Sequence, residues 1–197
     1  MIRCLEKSKD HLDVTAMLKV LKDWFVEEKD DHLNDYKKAL EVENDIGEHY
    51  KHIKDNCQSY ETNLCMLRMI PVAIWGHNLD PVSLFAAVKL VVMLTHSHEL
   101  VIESCYLYCF ALQQLINGSS TAEAYNRTKE ESEARATVSG LSTIKYWIEN
   151  DIEASDNGDE MPVPHYRPVS YIKISILWSL HYLRNDFEYE AAIKDII

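Results

Sequence analysis

Glycine and proline are scarce: the 197-residue chain has five of each. An all-β sandwich or barrel normally needs more turn-forming residues than that, so the shortage turns the reading toward helices. Cations are also in deficit, 20 Lys and Arg against 32 Asp and Glu, for a formal net charge of −12. Binding to DNA, RNA or an anionic membrane relies on clustered Lys and Arg, and the longest basic run here is Lys37-Lys38. No nucleic-acid or membrane partner is therefore expected. The five cysteines, Cys4, Cys57, Cys65, Cys105 and Cys109, are odd in number and form no CxxC motif. Three of them sit in apolar stretches, a pattern of reduced thiols rather than a disulfide framework, and the expected location is cytoplasmic. No apolar signal region opens the chain, and the longest uncharged apolar run, Ser104 to Ile116, is too short to cross a bilayer.

Apolar residues are plentiful, at 47% of the chain with eleven tyrosines, enough for a sizeable core. Asp13 to Lys29 carries Met17, Leu18, Leu21, Trp24 and Phe25 at helical spacing. His32 to Asp55 reads as a second, more polar helical region with a break at Gly47. Pro71 sits best near a helix start, and Asp80-Pro81 combines a capping acid with proline at the first helical position. The following helices run to about Thr95 and from Glu99 to Ile116, the latter closed by Asn117-Gly118. Thr121 to Arg135 is charged and helical. Ser139 to Asn150 is a further helix, Ile152 to Pro168 an acidic, proline-containing loop, and Val169 to Leu183 and Tyr189 to Ile197 the last helices. The expectation is one all-α domain over residues 1–197, a compact orthogonal bundle of about nine helices. Leu84, Val88, Val91, Leu107, Ala111 and Trp178 should be buried at its centre, and Trp24, Trp75, Trp147 and Trp178 should be core residues.

Several chemical patterns fail on spacing. His96 and His98 with Cys105 and Cys109 suggest zinc, but histidines two apart point in different directions. Asp156-Asn157-Gly158-Asp159-Glu160 lacks the alternating ligands of a calcium loop. No local signature singles out a Cys–His nucleophile pair.

Asn63-Leu64-Cys65-Met66-Leu67-Arg68-Met69-Ile70-Pro71 resembles the Asn-Gly-small-Leu-Met-Arg-x-x-Pro segment of ADP-ribosylglycohydrolases. Leu94-Thr95-His96-Ser97-His98 resembles that family's Thr-His helix junction, and Asp13-Val14-Thr15-Ala16-Met17 its Asp-Asp-Thr-x-Met motif. The stretch from Ile176-Leu177-Trp178 to Phe187-Glu188-Tyr189-Glu190-Ala191-Ala192-Ile193 looks like the helices preceding its second metal motif. The resemblance implies a helical bundle whose cleft holds one or two magnesium ions between two carboxylate clusters, with ADP-ribose bound beside them. It also implies Asn63, Arg68 and His96 as vestigial ligand-binding residues.

Departures from the family pattern qualify this. The first cluster reads Leu12-Asp13-Val14, so Asp13 is the only surviving candidate metal ligand, and capping a helix suits it better. A single carboxylate cannot hold magnesium, which keeps its water shell unless several hard oxygens replace it. Leu64 stands where the family has a glycine, a place where backbone approaches ligand. Relative to that family the chain is expected to be incomplete at both ends. The function expected is that of a pseudoenzyme without catalytic residues or cofactor. It would act as a structural or protein-binding component of a larger assembly, or by self-association through its C-terminal helices. Two alternatives stand beside it: a magnesium-dependent hydrolase whose missing ligands come from another chain or a longer product, and a metal-free ADP-ribose sensor.

Overall fold

The computed structural model describes residues 4–5, 11–27, 34–41, 45–153 and 170–196. Among them are ten α-helices and no β-strand. They are α1 (Val14–Glu27), α2 (Asn34–Leu40), α3 (Ile46–Asn56), α4 (Met69–Trp75) and α5 (Pro81–Val92), then α6 (Glu99–Ile116), α7 (Thr121–Ser139), α8 (Thr143–Trp147), α9 (Ile172–Arg184) and α10 (Tyr189–Ile196). A 3-10 turn, Leu64–Arg68, leads into α4, and a π turn, Ile148–Ile152, follows α8.

Helix α6 is the axle. It is buried on nearly every side, as expected of a helix that is apolar all round, and α4, α5, α7, α8 and α9 pack against it. Several of its buried polar side chains tie it to its neighbours. Gln113 Nε2 donates to the carbonyls of Gly76 (3.0 Å) and Leu79 (2.8 Å), pinning the α4–α5 turn. Gly76 itself is needed for space: a Cβ there would lie 3.0 Å from Leu84 Cδ1 and 3.1 Å from the Val72 carbonyl. Helices α1, α2 and α3 pack on one another, with Ala39, Ile53 and Cys57 forming a small core of their own.

Local signals act as read. Asp80 accepts from the amides of Val82 (3.0 Å) and Ser83 (3.1 Å) at the head of α5, with Pro81 at the first helical position. Asn117 caps α6, and Gly118 follows with φ +90°. Leu84, Val88, Val91, Leu107 and Ala111 are buried.

Expectations at Trp178, Trp24 and Gly47 need correction. Trp178 is only half-buried, stacked on Tyr182 at 5.3 Å at the edge of the core, and Trp24 is 42% exposed because it faces a groove. The second helical region divides into α2, ending at Leu40, and α3, beginning at Ile46, so Gly47 is not the break but lies in the first turn of α3 behind the Asp45 cap. Most of the acidic loop, including Asp156 to Glu160, lies outside the described residues.

Candidate functional site

The 3-10 turn sorts its side chains by threes, since positions i and i+3 eclipse. Cys65 and Arg68 point inward, buried, while Leu64 and Leu67 point outward, Leu67 being 79% exposed. Arg68 Nη1 donates to the Tyr36 hydroxyl (3.0 Å), and Nη2 donates to Thr95 Oγ1 (2.7 Å) and to the Val91 carbonyl (3.3 Å). Thr95 Oγ1 lies 2.7 Å from His96 Nδ1, and His96 Nε2 lies 2.8 Å from Thr62 Oγ1. With the Thr95 hydroxyl donating to Nδ1, Nε2–H can donate to Thr62, a self-consistent set of donors and acceptors. Beside Thr62, Asn63 Nδ2 donates to Ser175 Oγ of α9 (2.6 Å), and the Asn63 amide donates to the Ser170 carbonyl (2.6 Å). The Ile172 amide returns a bond to Glu61 (2.9 Å), closing a short antiparallel bridge between 61–63 and the start of α9.

The structure thus strings Asn63, Arg68 and His96 along one largely buried polar chain linking the 3-10 turn, the α5–α6 junction and α9. Asp13 is not part of it. Its carboxylate is exposed and accepts the Ala16 amide at 2.9 Å, capping α1. Thr62, Thr95, Tyr36 and Ser175 are the members sequence reasoning missed. Thr95 lay inside the recognised junction, and its position beside His96 was the available signal.

Thiols complete the cluster. Cys65 Sγ lies 3.5 Å from Cys105 Sγ. Burial pushes both thiols up, but the bond from Cys105 and the neighbouring His96 and Arg68 bring Cys65 below the usual thiol range. Cys105 rises in return. Burial raises the Tyr36 phenol against the pull of Arg68. The zinc pattern is dispersed: His98 Nδ1 accepts the Leu100 amide, His98 Nε2 faces Glu61 at 3.3 Å, and Cys109 donates to the Met69 carbonyl.

Two cavities flank the turn. One, of about 280 Å³, is lined by Asn63, Leu64, Tyr108, Ser175 and Ser179 among others. The other, of about 830 Å³, lies on the side of α1 and α2. Leu64, Leu67 and Ile70 line both and form the ridge between them.

An all-helical bundle with an Asn63–Arg68 turn set against a Thr95-His96 junction is the arrangement the sequence resemblance implied. The chain belongs to the ADP-ribosylglycohydrolase family, whose model it matches over residues 1–197. No curated protein and no solved structure matched it.

Magnesium, implied by that family, does not suit the donors described. Asp13 is occupied at a helix end between Leu12 and Val14, and the described residues contain no group of three or more His, Cys, Asp or Glu placed to hold a metal ion.

Proposed function

We propose that this chain is a catalytically inactive member of the ADP-ribosylglycohydrolase family that serves as a protein-binding or structural module. The observation that carries this reading is the use to which the residues of the family resemblance are put. Asn63, Arg68 and His96 turn polar groups onto Ser175, Thr95, Tyr36, Val91 and Thr62, with only Arg68 Nε left without a partner among the described residues, and Asp13 caps a helix end with its carboxylate. Leu64, at the position of the family's glycine, adds a branched side chain to the ridge between the two cavities. Hydrolysis at the ribose carbon needs a positioned water and a stabiliser of developing charge, and removing metal-held positioning costs on the order of a thousandfold or more in rate.

A partner surface is proposed on α9 and α10. Trp178 stacks on Tyr182, Tyr182 meets Phe187 edge-on at 5.2 Å, and Phe187 is 42% exposed. Aromatic side chains of this kind are enriched at the centres of protein interfaces.

The expected result is no turnover of ADP-ribosylated arginine or serine by the purified chain, with or without added magnesium. Turnover abolished by a chelator and restored by magnesium would overturn the reading. For the surface, light scattering should find self-association, or a defined complex with a co-expressed partner, that Phe187→Asp removes. A stable monodisperse monomer that acquires no partner would count against it.

A further inference from the structure

Cys65 and Cys105 are free thiols, fully buried, with their Sγ atoms 3.5 Å apart and 40 residues between them in sequence. Cys65 stands on the 3-10 turn and Cys105 on α6, so the pair joins the buried polar chain to the axle of the bundle. The two thiols already share a hydrogen bond. A disulfide holds its sulfurs about 2.05 Å apart, so bonding them asks for a closure of about 1.5 Å, shared by two side chains.

Their surroundings give the two thiols different roles. Burial raises Cys65, but the bond from Cys105 and the neighbouring His96 and Arg68 favour its thiolate. Cys105 is held up by burial and by Cys65, and Cys109, one turn further along α6, is pushed up by burial. A thiolate is the nucleophile in thiol oxidation, and an adjacent thiol turns its first product into a disulfide. Leu64 and Met66, the chain neighbours of Cys65 on either side, line the smaller cavity, so space of about 280 Å³ reaches the turn that carries this sulfur.

We propose that Cys65 and Cys105 form a reversible disulfide switch, oxidised by a small hydroperoxide, that staples the 3-10 turn to α6. The Cys65 thiolate attacks one peroxide oxygen, the O–O bond breaks, and the other oxygen leaves as hydroxide. Cys65 is then a sulfenic acid. The Cys105 sulfur attacks the Cys65 sulfur, the S–O bond breaks, and the hydroxyl leaves as water with the Cys105 proton. Two thiols have lost two electrons, and hydrogen peroxide has become two waters, the hydroxide taking up the proton that Cys65 gave away. A dithiol reverses the bond by exchange. Because both sulfurs are buried, the oxidant enters through local openings of the turn, which favours one little larger than water. The switch goes beyond the family reading above and does not depend on it.

The test exposes the full, folded chain to hydrogen peroxide, blocks the remaining thiols and maps disulfide-linked peptides by mass spectrometry. Cys65–Cys105 is expected to be the main intramolecular disulfide, and dithiothreitol should remove it. Oxidation should also raise the urea midpoint, because the bond closes a loop between residues 40 apart in the unfolded chain. Cys105→Ala should leave Cys65 as a sulfenic acid that dimedone labels, and Cys65→Ala should leave Cys105 unlabelled. Where either variant does not fold, the peptide map and the urea midpoint of the unaltered chain decide. Cys105 linked to Cys109 instead, or no Cys65–Cys105 peptide while the circular dichroism stays native, would overturn the proposal. So would dimedone on Cys105 in place of Cys65, a pair that forms only in urea, or a urea midpoint unchanged by oxidation.

Discussion

Asp13 and His49 show how a side chain of chemical promise is used for architecture. Asp13 holds the Ala16 amide at the open end of α1. Asp13→Ala should therefore cost only what a helix cap costs, about 1 kcal/mol by urea denaturation, and a loss several times larger would point to a further role. His49 is fully buried, with Nε2 against the Leu94 carbonyl at 2.9 Å and Nδ1 without a hydrogen-bond partner. Burial lowers its pKa from the ordinary 6.5, opposed in part by the bond to Leu94. The unfolded chain then binds more protons than the native one between the two pKa values. Stability is full above pH about 6.5 and falls as the pH drops through the depressed native value. His49→Gln, which keeps an amide donor within reach of Leu94, should flatten that acid limb of a plot of urea midpoint against pH. An unchanged slope would exclude His49 as its source. Asn63, Arg68 and His96 were legible in the sequence because they sit in short motifs of fixed order. Thr62, Tyr36 and Ser175 were not, because a hydroxyl gains meaning only when tertiary structure brings a partner to it.

The start of α5 and both ends of α6 were readable to the residue, helped by explicit chemistry at Asp80-Pro81 and Asn117-Gly118, whereas α5 stops at Val92, short of the expected Thr95. The amphipathic pattern of α1 also identified a helix, but periodicity gives a face and not its neighbour. Trp24 lies on the apolar stripe and still looks into a groove. The α6–α7 contact was invisible, since nothing in a charged helix says which of its arginines turns inward. Arg135 does so: Nε donates to Glu103 Oε2 at 2.9 Å, a second bond joins Nη2 to Oε1, and its Cζ lies 3.7 Å from the centroid of the Phe85 ring. Glu103 is 6% exposed, so Arg135→Met should destabilise by about 3 kcal/mol, the cost of stranding a buried charge. Adding Glu103→Met removes the stranded charge and should recover most of that loss in a denaturant melt. A double variant as unstable as Arg135→Met would show that the arginine acts through its packing on Phe85 instead.

The bundle is unevenly held together, and its layout says where it opens first. Helix α6 has neighbours on all sides, and the side chains of Cys105, Tyr106 and Cys109 are fully buried in the shared core. Opening it means separating α4, α5, α7, α8 and α9 at once, an event close to global unfolding. Helices α1, α2 and α3 make their closest helix contacts with one another, around a small core of Ala39, Ile53 and Cys57, and join the shared core through Met17, Leu18, Leu21, Tyr36 and Leu40 and through side-chain bonds to the rest. Those bonds include Arg68 to the Tyr36 hydroxyl, that hydroxyl to the Leu64 carbonyl at 3.1 Å, His49 to Leu94, Tyr50 to the Leu90 carbonyl at 3.0 Å, and the Ser97 hydroxyl to the Ile53 carbonyl at 2.9 Å. Each such bond contributes about 1 kcal/mol net, so this group can lift while the axle stays intact. Regions with fewer buried apolar contacts exchange amide protons through smaller openings. Hydrogen exchange followed by mass spectrometry should therefore find α6 the last helix to exchange, at the free energy of global unfolding. Helices α1 to α3 should exchange together at a lower one. His49→Gln with Ser97→Ala should speed exchange in α1 to α3 and leave α6 slow. A single exchange rate shared by α1, α2, α3 and α6 would instead mean that the N-terminal helices fold as one cooperative unit with the axle.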